Sequence, residues 1–377
     1  MLYFPARDEW QRVEAADAGM RSDKLAEVTA FAKEVETPWP RNLSKGLAAG
    51  EATHEPPPWN KVLGPTKDRG GPNGLIVRGG RIVSEWGDTQ RVDMTFSVAK
   101  SYLSILTGIA VARGLIRDVD DAMRDYALDD GFDSEQNRSI TWRHLLHQTS
   151  EWQGTLWDKP DLVDRHRQVA EGADNSRKGT HRDLQTPGTY WEYNDVRVNR
   201  LALSLTQVFR RPLPAVLREA VMDPIGASDT WDWRAYSNAN FEIDGEVLPS
   251  VPGGAHWGGG IFISSLDHAR VGLLMAREGE WNGQQVLPTA WVEASHTPCP
   301  INAEYGYLWW LNTGGAHYDC APDTSYFAMG AGQSIIWVDP ALDLVMVARW
   351  IDSAHTNALI GRVMDSFESP ARSASGR

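Results

Sequence analysis

The serine and the lysine of Ser97-Val98-Ala99-Lys100 have the types and the spacing in this chain that most directly suggest chemistry. In an α-helix, positions i and i+3 lie on the same face about one turn apart. The hydroxyl of Ser97 and the amine of Lys100 can therefore touch. A serine at the start of a helix with an amine within reach is one way to make a hydroxyl nucleophilic near neutral pH. The pair predicts a nucleophile at Ser97.

The segment that follows Ser97 predicts a long buried helix. Apolar residues cover most of its circumference as far as Ile116, which is not typical of a surface helix. Its one polar stripe consists of Ser97, Lys100, Ser101 and Ser104. Because a lone buried ammonium is very costly, this stripe must face hydrogen-bonding partners or a wet cavity. On a surface helix, by contrast, the same spacing would be a chance pattern with an exposed lysine.

Composition and charge exclude several classes of protein. The 377-residue chain can form one large domain or two interlocked domains. Its formal net charge of -13 argues against nucleic acid and anionic membranes as partners. Cys299 and Cys320 are too few for a disulfide scaffold and lack metal-ligand spacing. Since we find no signal-peptide pattern and no stretch apolar enough to span a membrane, we expect a cytoplasmic protein of unknown oligomeric state.

Strand patterns occupy both ends of the chain, and helical patterns its middle. A helix is predicted over 23–35, one hairpin around Gly79-Gly80 and a second hairpin between Ser334 and Trp350. Helical patterns, including one over 196–209, dominate residues 118–240, and the highly charged stretch 158–186 is predicted to be an exposed flap. We therefore predict an α/β domain made of residues 1–117 and 245–377, with a mostly helical domain of residues 118–244 inserted into it.

A second group of motif residues lies in the predicted helical part, where the turn Pro187-Gly188-Thr189 precedes Tyr193 at the mouth of a helix. Together with Ser97-x-x-Lys100, the segment Gly258-Gly259-Gly260 and the hairpin over 332–340, it resembles the serine penicillin-recognising superfamily. The chain is most similar to the class C β-lactamase-like hydrolases, which include family VIII carboxylesterases, D-aminopeptidases and 6-aminohexanoate-dimer hydrolases. The resemblance covers residues 70 to 365. It implies a β-lactamase-like fold with an antiparallel sheet flanked by helices.

The family's second motif is usually Tyr-x-Asn, and two places in this chain compete for it. Tyr236-Ser237-Asn238 matches the letters. It lies, however, beyond Asp223-Pro224-Ile225-Gly226, in the stretch that closes the helical domain in such proteins. Tyr193 instead has the Pro-Gly-Thr turn before it and a predicted helix after it. We therefore assign the motif tyrosine to Tyr193.

The resemblance implies acyl transfer through a covalent intermediate. Ser97 would attack the carbonyl of an ester or amide, while Lys100 and Tyr193 take its proton and later deliver one to the leaving group. The backbone N–H groups of Ser97 and Ala331 would hold the oxyanion. This chemistry requires no metal and no organic cofactor.

Three features depart from the family pattern. Asp195 stands where asparagine is common; near Lys100 it would favour the charged amine and move the base role toward Tyr193, or else it caps the next helix. The strand motif aligns with Ala328-Met329-Gly330, whose first position lacks the usual lysine or histidine, and this loss argues against β-lactams and peptide C-termini as substrates. The chain also has 17 tryptophans. Those near motifs are predicted to line an apolar acyl pocket: Trp152, Trp191, Trp257 and Trp309.

The favoured function is therefore a serine hydrolase, a carboxylesterase or amidase, acting on a small neutral substrate. Within the class, the alternative is a β-lactamase or D,D-peptidase. Outside it, the alternative is a catalytically silent homologue that binds a ligand. The intact set of Ser97, Lys100 and Tyr193 favours the enzyme. The pair His144 and His147 lacks a carboxylate partner, so we predict structural roles for both.

Overall fold

The computed structural model describes residues 2–48, 55, 57–169 and 172–368. The α-helices are α1 (Ser22–Glu34), α2 (Leu43–Ala48), α3 (Val98–Ala112), α4 (Trp142–Leu146), α5 (Asp195–Phe209), α6 (Leu213–Leu217), α7 (Ser265–Ala276), α8 (Thr289–Ser295) and α9 (Thr356–Asp365). The strands are β1 (Asn73–Arg78), β2 (Arg81–Trp86), β3 (Asp93–Met94), β4 (Thr155–Leu156), β5 (Lys159–Pro160), β6 (Asp232–Arg234), β7 (Asn240–Ile243), β8 (Glu246–Pro249), β9 (Gly260–Ile263), β10 (Glu280–Trp281), β11 (Gln284–Gln285), β12 (Trp310–Leu311), β13 (Tyr326–Gly330), β14 (Ser334–Asp339) and β15 (Leu344–Arg349). Across these described ranges, every helix is too short or too polar to cross a membrane.

The main sheet is antiparallel and joins the two ends of the chain. Its strand order is β12-β13-β14-β15-β1-β2. The ends meet where β1 pairs with β15, with Asn73 opposite Arg349 and Arg78 opposite Leu344. Both predicted hairpins are present, β1 with β2 and β14 with β15. The predicted α/β fold class with an antiparallel sheet flanked by helices is therefore confirmed.

Alternate side chains along the strands pack into two separate hydrophobic cores, one on each face of the sheet. Successive side chains of a strand point to opposite faces, and Leu75 and Val77 lie in one hydrophobic cluster while Ile76 lies in another. The first cluster contains α3 and α7, and the second contains the apolar faces of α1 and α9. Helix α3 is buried from Val98 to Ala110. The sheet therefore holds α3 firmly on one face, as its apolar sequence requires.

The middle of the chain packs on α3 through α5, the longest helix of residues 118–244. Nearly all of α5 is buried, and α3 and α5 are in contact. A single hydrophobic cluster contains Leu103 of α3 together with Leu201 and Leu205 of α5. The helices α3 and α5 thus share one core, which fixes the relative positions of their first turns. The boundaries of the inserted domain stay a prediction.

The predicted exposed flap is wrong for its first part. Lys159, Asp161, Asp164 and Arg165 are all buried. Opposite charges pair there: Arg165 Nε lies 2.9 Å from Asp161 Oδ2. The density of charges in the sequence suggested exposure because an unpaired charge is too costly to bury. Paired charges can be buried, however, when hydrogen bonds satisfy both partners.

Candidate active site

A strained turn delivers Ser97 to the start of α3. Between β3 and the helix, Phe96 has a φ of 50°, in the left-handed region. A non-glycine residue in this region costs roughly 1–3 kcal/mol and persists only where the surroundings enforce it. The Phe96 ring is buried edge-on against Trp39 and Trp350, with centroid distances of 5.5 and 6.5 Å. Aromatic packing therefore stabilises the turn that places Ser97.

The Ser97 hydroxyl contacts Lys100 instead of capping its helix. Ser97 occupies the N-cap position, yet its side chain makes no capping hydrogen bond. Lys100 Nζ instead donates to Ser97 Oγ at 2.8 Å, and Lys100 is buried while Ser97 is half-buried. Farther along the polar stripe, Ser101 donates to the Leu308 carbonyl at 2.8 Å. Only the first two residues of the stripe therefore meet at the candidate site.

The end of β13 packs directly on the first turn of α3. A side-chain carbon at Gly330 would lie 2.2 Å from the Thr95 carbonyl oxygen and 3.1 Å from the Ser97 nitrogen. Only glycine fits such a close approach. Gly330 thereby places Ala331, the next residue, beside the helix start. Ala328, at the first position of the strand motif, is fully buried.

The start of α5 brings Asp195 to Lys100. Asn194 caps this helix, since its Oδ1 accepts hydrogen bonds from Val196 N at 3.1 Å and Arg197 N at 3.2 Å. The Asp195 side chain is therefore not needed as a cap. Its Oδ1 lies 2.5 Å from Lys100 Nζ. Of the two roles that the sequence left open for Asp195, the structure shows the ion pair with Lys100.

Tyr193 lies over the same ammonium. Lys100 Nζ is 4.6 Å from the centroid of the Tyr193 ring, and the Arg167 guanidinium carbon is 5.1 Å from it. The competing residue Tyr236 is packed edge-on against Trp157 at 5.7 Å and Trp257 at 6.3 Å. The side chain that the structure places against Lys100 is thus Tyr193.

Asp195 belongs to a larger set of buried charges behind Lys100. Asp195 Oδ2 lies 2.7 Å from His256 Nδ1 and 3.3 Å from Arg167 Nη1. His256 Nε2 lies 2.6 Å from Glu55 Oε1. Lys178 pairs with Glu55, and with Asp164 at 3.3 Å. We call this set the buried charge cluster: Glu55, Lys100, Asp164, Arg167, Lys178, Asp195 and His256.

The cluster fixes the ionisation of Asp195 and His256. Burial by itself raises the pKa of the Asp195 carboxyl, but Lys100, Arg167 and His256 together hold that pKa well below its ordinary value. Burial lowers the pKa of the His256 imidazole, whereas Asp164, Asp195 and Glu55 raise it, and the net pKa is above its ordinary value. Near neutral pH, Asp195 is therefore an anion, and the surroundings of His256 stabilise its cationic form more than water does.

Three members of the cluster have the composition of a metal site. Atoms of Glu55, Asp164 and His256 that could bind a metal lie within 4.8 Å of one another. The ammonium of Lys178, however, contacts both carboxylates, and Arg167 Nη1 lies 3.3 Å from Asp164 Oδ2. Side-chain cations thus already neutralise these carboxylates, and we assign no metal to the group.

Three of the four tryptophans predicted to line a substrate pocket are buried in the core. Trp152, Trp257 and Trp309 are all buried. The Trp152 indole donates to the Gly131 carbonyl at 2.8 Å, and Trp257 lies against the His256 ring with a centroid distance of 4.4 Å. These large rings fill space between elements, which is the default role of tryptophan. These contacts are those of core side chains, and the lining of a pocket by these three residues stays a prediction.

The fourth, Trp191, is half-buried and joins a set of rings around Tyr193. Trp310 stacks on Tyr193 at 5.6 Å and on His317 at 5.2 Å. Trp191 meets Tyr305 edge-on at 5.4 Å. We call this set the aromatic wall: Trp191, Tyr193, Tyr305, Trp310 and His317. It provides a largely apolar surface beside the ammonium of Lys100.

Two histidines of α4 and its C-cap have structural roles. His144 Nδ1 accepts a hydrogen bond from the Thr141 N–H at 3.2 Å, as part of a capping box at the start of α4. His147 packs on the Tyr307 ring with a centroid distance of 4.8 Å. The structure thus gives His144 a role in capping α4 and His147 a role in aromatic packing.

The sequence reasoning missed five members of the charge cluster, because their partners are far away in the chain: Glu55, Asp164, Arg167, Lys178 and His256. One signal was present in the glycine run Gly253-Gly254-Ala255-His256. A side-chain carbon at Gly254 would lie 2.7 Å from Lys100 Nζ. The glycine allows the backbone at Gly254 to approach Lys100 closely, and His256 follows two residues later.

The comparisons with known proteins concern the family and the fold. A family model described as Beta-lactamase matches residues 59–350. A candidate 6-aminohexanoate-dimer hydrolase from Bacillus anthracis has a similar structure, with a TM-score of 0.55 and 16% identity over 78% of each chain. So does a penicillin-binding protein homologue from Caulobacter crescentus, with a TM-score of 0.57 and 15% identity over 92% of this chain and 99% of that one.

A third similar structure is EstCE1, a hydrolase with promiscuous acyltransferase activity, with a TM-score of 0.56 and 14% identity over 92% of this chain and 99% of that one. A search among curated proteins found no match. At these identities the similar structures establish the fold alone. The family model, by contrast, spans most of the chain, and the protein is therefore a member of the Beta-lactamase family.

Proposed function

We propose that this protein is a serine hydrolase that cleaves a small neutral ester or amide through an acyl-enzyme on Ser97. The observation that carries the proposal is the hydrogen bond of 2.8 Å from Lys100 Nζ to Ser97 Oγ at the start of α3. A nucleophilic hydroxyl needs a partner within this distance to manage its proton. The hydroxyl is half-buried and has no capping partner, so it can meet a substrate carbonyl.

In this mechanism Lys100 stays an ammonium, because the Asp195 carboxylate lies 2.5 Å away. The ammonium donates a hydrogen bond to Ser97 Oγ and stabilises the negative charge that develops on that oxygen. In this scheme Tyr193 enters as the phenolate and takes the hydroxyl proton as Ser97 attacks the carbonyl. The cations of Lys100 and Arg167 over its ring stabilise the negative charge that Tyr193 carries before this transfer.

The same proton completes the first half of the reaction. Tyr193 delivers it to the leaving alcohol or amine, which departs and leaves the acyl group on Ser97 Oγ. Water then attacks the ester and gives a proton to Tyr193, which returns it to Ser97 as the acid departs. Protons balance without a further reactant.

Backbone N–H groups of Ser97 and Ala331 would hold the oxyanion of each tetrahedral intermediate. The close packing of Gly330 on Ser97 supports this role, because Ala331 directly follows Gly330 in the chain. Outside regular helices and strands, we find neither N–H donating to another group in the described part of the chain. Both groups therefore remain available to a substrate oxygen.

The surroundings favour a neutral substrate with an apolar group. The first position of the strand motif holds Ala328, which is buried and cannot bind a substrate carboxylate. The aromatic wall offers rings for an apolar or aromatic acyl group. Similar structures include a candidate 6-aminohexanoate-dimer hydrolase and a hydrolase with acyltransferase activity. We therefore propose aryl or short-chain esters and amides as the first substrates to try.

The test is labelling with a fluorophosphonate, followed by intact-protein mass spectrometry. Wild type should gain one adduct, and Ser97→Ala should gain none. Ser101→Ala is the matched control, because Ser101 lies on the same helix but donates to the Leu308 carbonyl; it should be labelled like wild type. A folded wild type that gains no adduct would contradict the proposal and favour a binding protein without catalysis.

A second assay separates the substrate classes. Aryl esters and anilides with neutral acyl groups should be hydrolysed, and Ser97→Ala should abolish this activity. Nitrocefin, a β-lactam with a carboxylate, should not be turned over, since Ala328 offers no cation to hold that group. Efficient nitrocefin turnover would refute the choice of a neutral substrate while leaving the serine mechanism intact.

A further inference from the structure

His256 bridges two carboxylates within the buried charge cluster. Its Nδ1 lies 2.7 Å from Asp195 Oδ2, and its Nε2 lies 2.6 Å from Glu55 Oε1. Ionised carboxylates only accept hydrogen bonds, whereas neutral histidine has a single N–H donor. Both bonds can form together only when both ring nitrogens carry a proton. The geometry therefore fits a buried imidazolium.

The two oxygens of Asp195 have different partners. Oδ1 lies 2.5 Å from Lys100 Nζ, and Oδ2 receives the bond from His256. These two contacts fix the plane of the carboxylate, because each oxygen is held from its own side. The only other contact of Oδ2 is with Arg167 Nη1, at a longer distance of 3.3 Å, as far as the described residues go. Removing His256 would thus leave Asp195 with one close partner, Lys100.

The charges that face the His256 ring favour its positive form. Asp195 and Glu55 lie at its two nitrogens, and Asp164 adds a third carboxylate nearby. The guanidinium of Arg167 opposes them, with Nη1 3.4 Å from Nδ1. Lys178 lies on the far side of Glu55 and Asp164. The Trp257 ring covers one face at 4.4 Å and shields the ring from water.

We propose that His256 is a positioning residue, an imidazolium clamped between Glu55 and Asp195 that orients the carboxylate holding the Lys100 ammonium against Ser97. The contacts form one chain from Glu55 through His256, Asp195 and Lys100 to Ser97. His256 touches no reacting atom and acts through Asp195. The catalytic consequence rests on the proposed function, whereas the clamp itself does not.

The clamp is tested first without any substrate, by nitrogen-15 NMR of the histidine rings in the full chain. His256→Gln identifies the resonances of His256 by their disappearance. Two ring N–H signals for His256 at neutral pH, and a shift of the Lys100 ammonium signal in His256→Gln, are expected. A neutral ring with one N–H, or an unmoved Lys100 signal, would overturn the proposal.

The catalytic consequence is tested by the rate of fluorophosphonate labelling. Loss of a hydrogen bond between charged groups corresponds to a loss of about 10- to 100-fold in rate, which we expect for His256→Ala. If His256 acts through Asp195, then His256→Ala should slow an Asp195→Asn background much less than it slows wild type. Equal losses in both backgrounds would overturn the positioning role.

The pH profile separates this role from loss of stability. Wild type should label more slowly as pH rises through the titration of His256, whereas His256→Gln should lack this alkaline decline. His268→Gln is the matched control: His268 is also buried, but its partners are the hydroxyls of Thr95 and Tyr102. It should lower thermal stability while keeping the wild-type profile. The same alkaline decline in His256→Gln would overturn the proposal.

Failure of the proposed function gives a different result. A folded wild type that is never labelled would refute the hydrolase, and the NMR signals of His256 and Lys100 would still decide the clamp. If wild type and His256→Ala are both labelled, and at the same rate, this result would refute the positioning role alone.

Discussion

Asp195→Asn is the substitution that most directly tests the proposed mechanism. It keeps the size of the side chain and removes one negative charge that is 2% exposed. Three cationic groups then face a neutral amide: Lys100 at 2.5 Å, His256 at 2.7 Å and Arg167 at 3.3 Å. The variant therefore asks whether the reaction needs Lys100 to be held as an ammonium.

The expected loss of stability follows from the burial of these groups. Removing one partner of a buried ion pair costs about 3–5 kcal/mol. For 377 residues, an unfolding entropy of about 2.1 cal/mol/K per residue converts this cost to a fall in Tm of about 4–6 °C. Because the pKa of Asp195 is lowered in the fold, its contribution is present above its ordinary value near 3.8 and is lost as pH falls through the folded value. The Tm difference should therefore persist from neutral pH down to about pH 4.

The assay is the second-order rate of fluorophosphonate labelling at neutral pH, beside thermal unfolding of the same samples. Asp195→Asn should label about 10- to 100-fold more slowly than wild type. The control is Asp129→Asn, which breaks a part-buried ion pair away from the site. In this pair, Arg200 Nη2 lies 2.8 Å from Asp129 Oδ1. It should lose stability and keep its labelling rate. If Lys100 were the resting base, loss of Asp195 would favour the neutral amine and speed labelling, and that result would refute the mechanism.

Three further predictions concern single residues. Tyr193→Phe should lower kcat on an aryl ester by at least about 100-fold, as loss of a general acid and base does, with a Tm close to wild type; near-full kcat would exclude Tyr193 as the base. Gly330→Ala should abolish labelling, since its methyl group would lie 2.2 Å from the Thr95 carbonyl oxygen; a crystal structure would show the displaced strand end, and an unchanged labelling rate would contradict the packing. His256→Gln should be less stable than wild type mainly at low pH: the pKa of His256 is raised in the fold, so its contribution is full below about 6.5 and is lost as pH rises through the folded value. A Tm difference that widens with rising pH would contradict a buried imidazolium.

Local patterns in the sequence predicted the elements that carry the site. Apolar periodicity gave a first helix close to α1, the glycine pair gave the β1–β2 hairpin, and the spacing of Ser97 and Lys100 gave their contact. These features depend on neighbours within a few residues, so the period of the side chains decides them. The same reasoning failed for the first part of the stretch 158–186, because charged residues there are buried with partners that include Asp195 and Arg197, outside the stretch.

The sequence by itself determined which residues could supply a nucleophile and its amine, and that the sheet is built from both ends of the chain. Only the tertiary structure decided that Asp195 pairs with Lys100, since Asn194 proved to be the helix cap. Only the fold brought Glu55 and His256, 201 positions apart, into one hydrogen bond. The physical reason is that a buried charge is stable only with a partner, and the sequence does not show which distant partner the fold supplies.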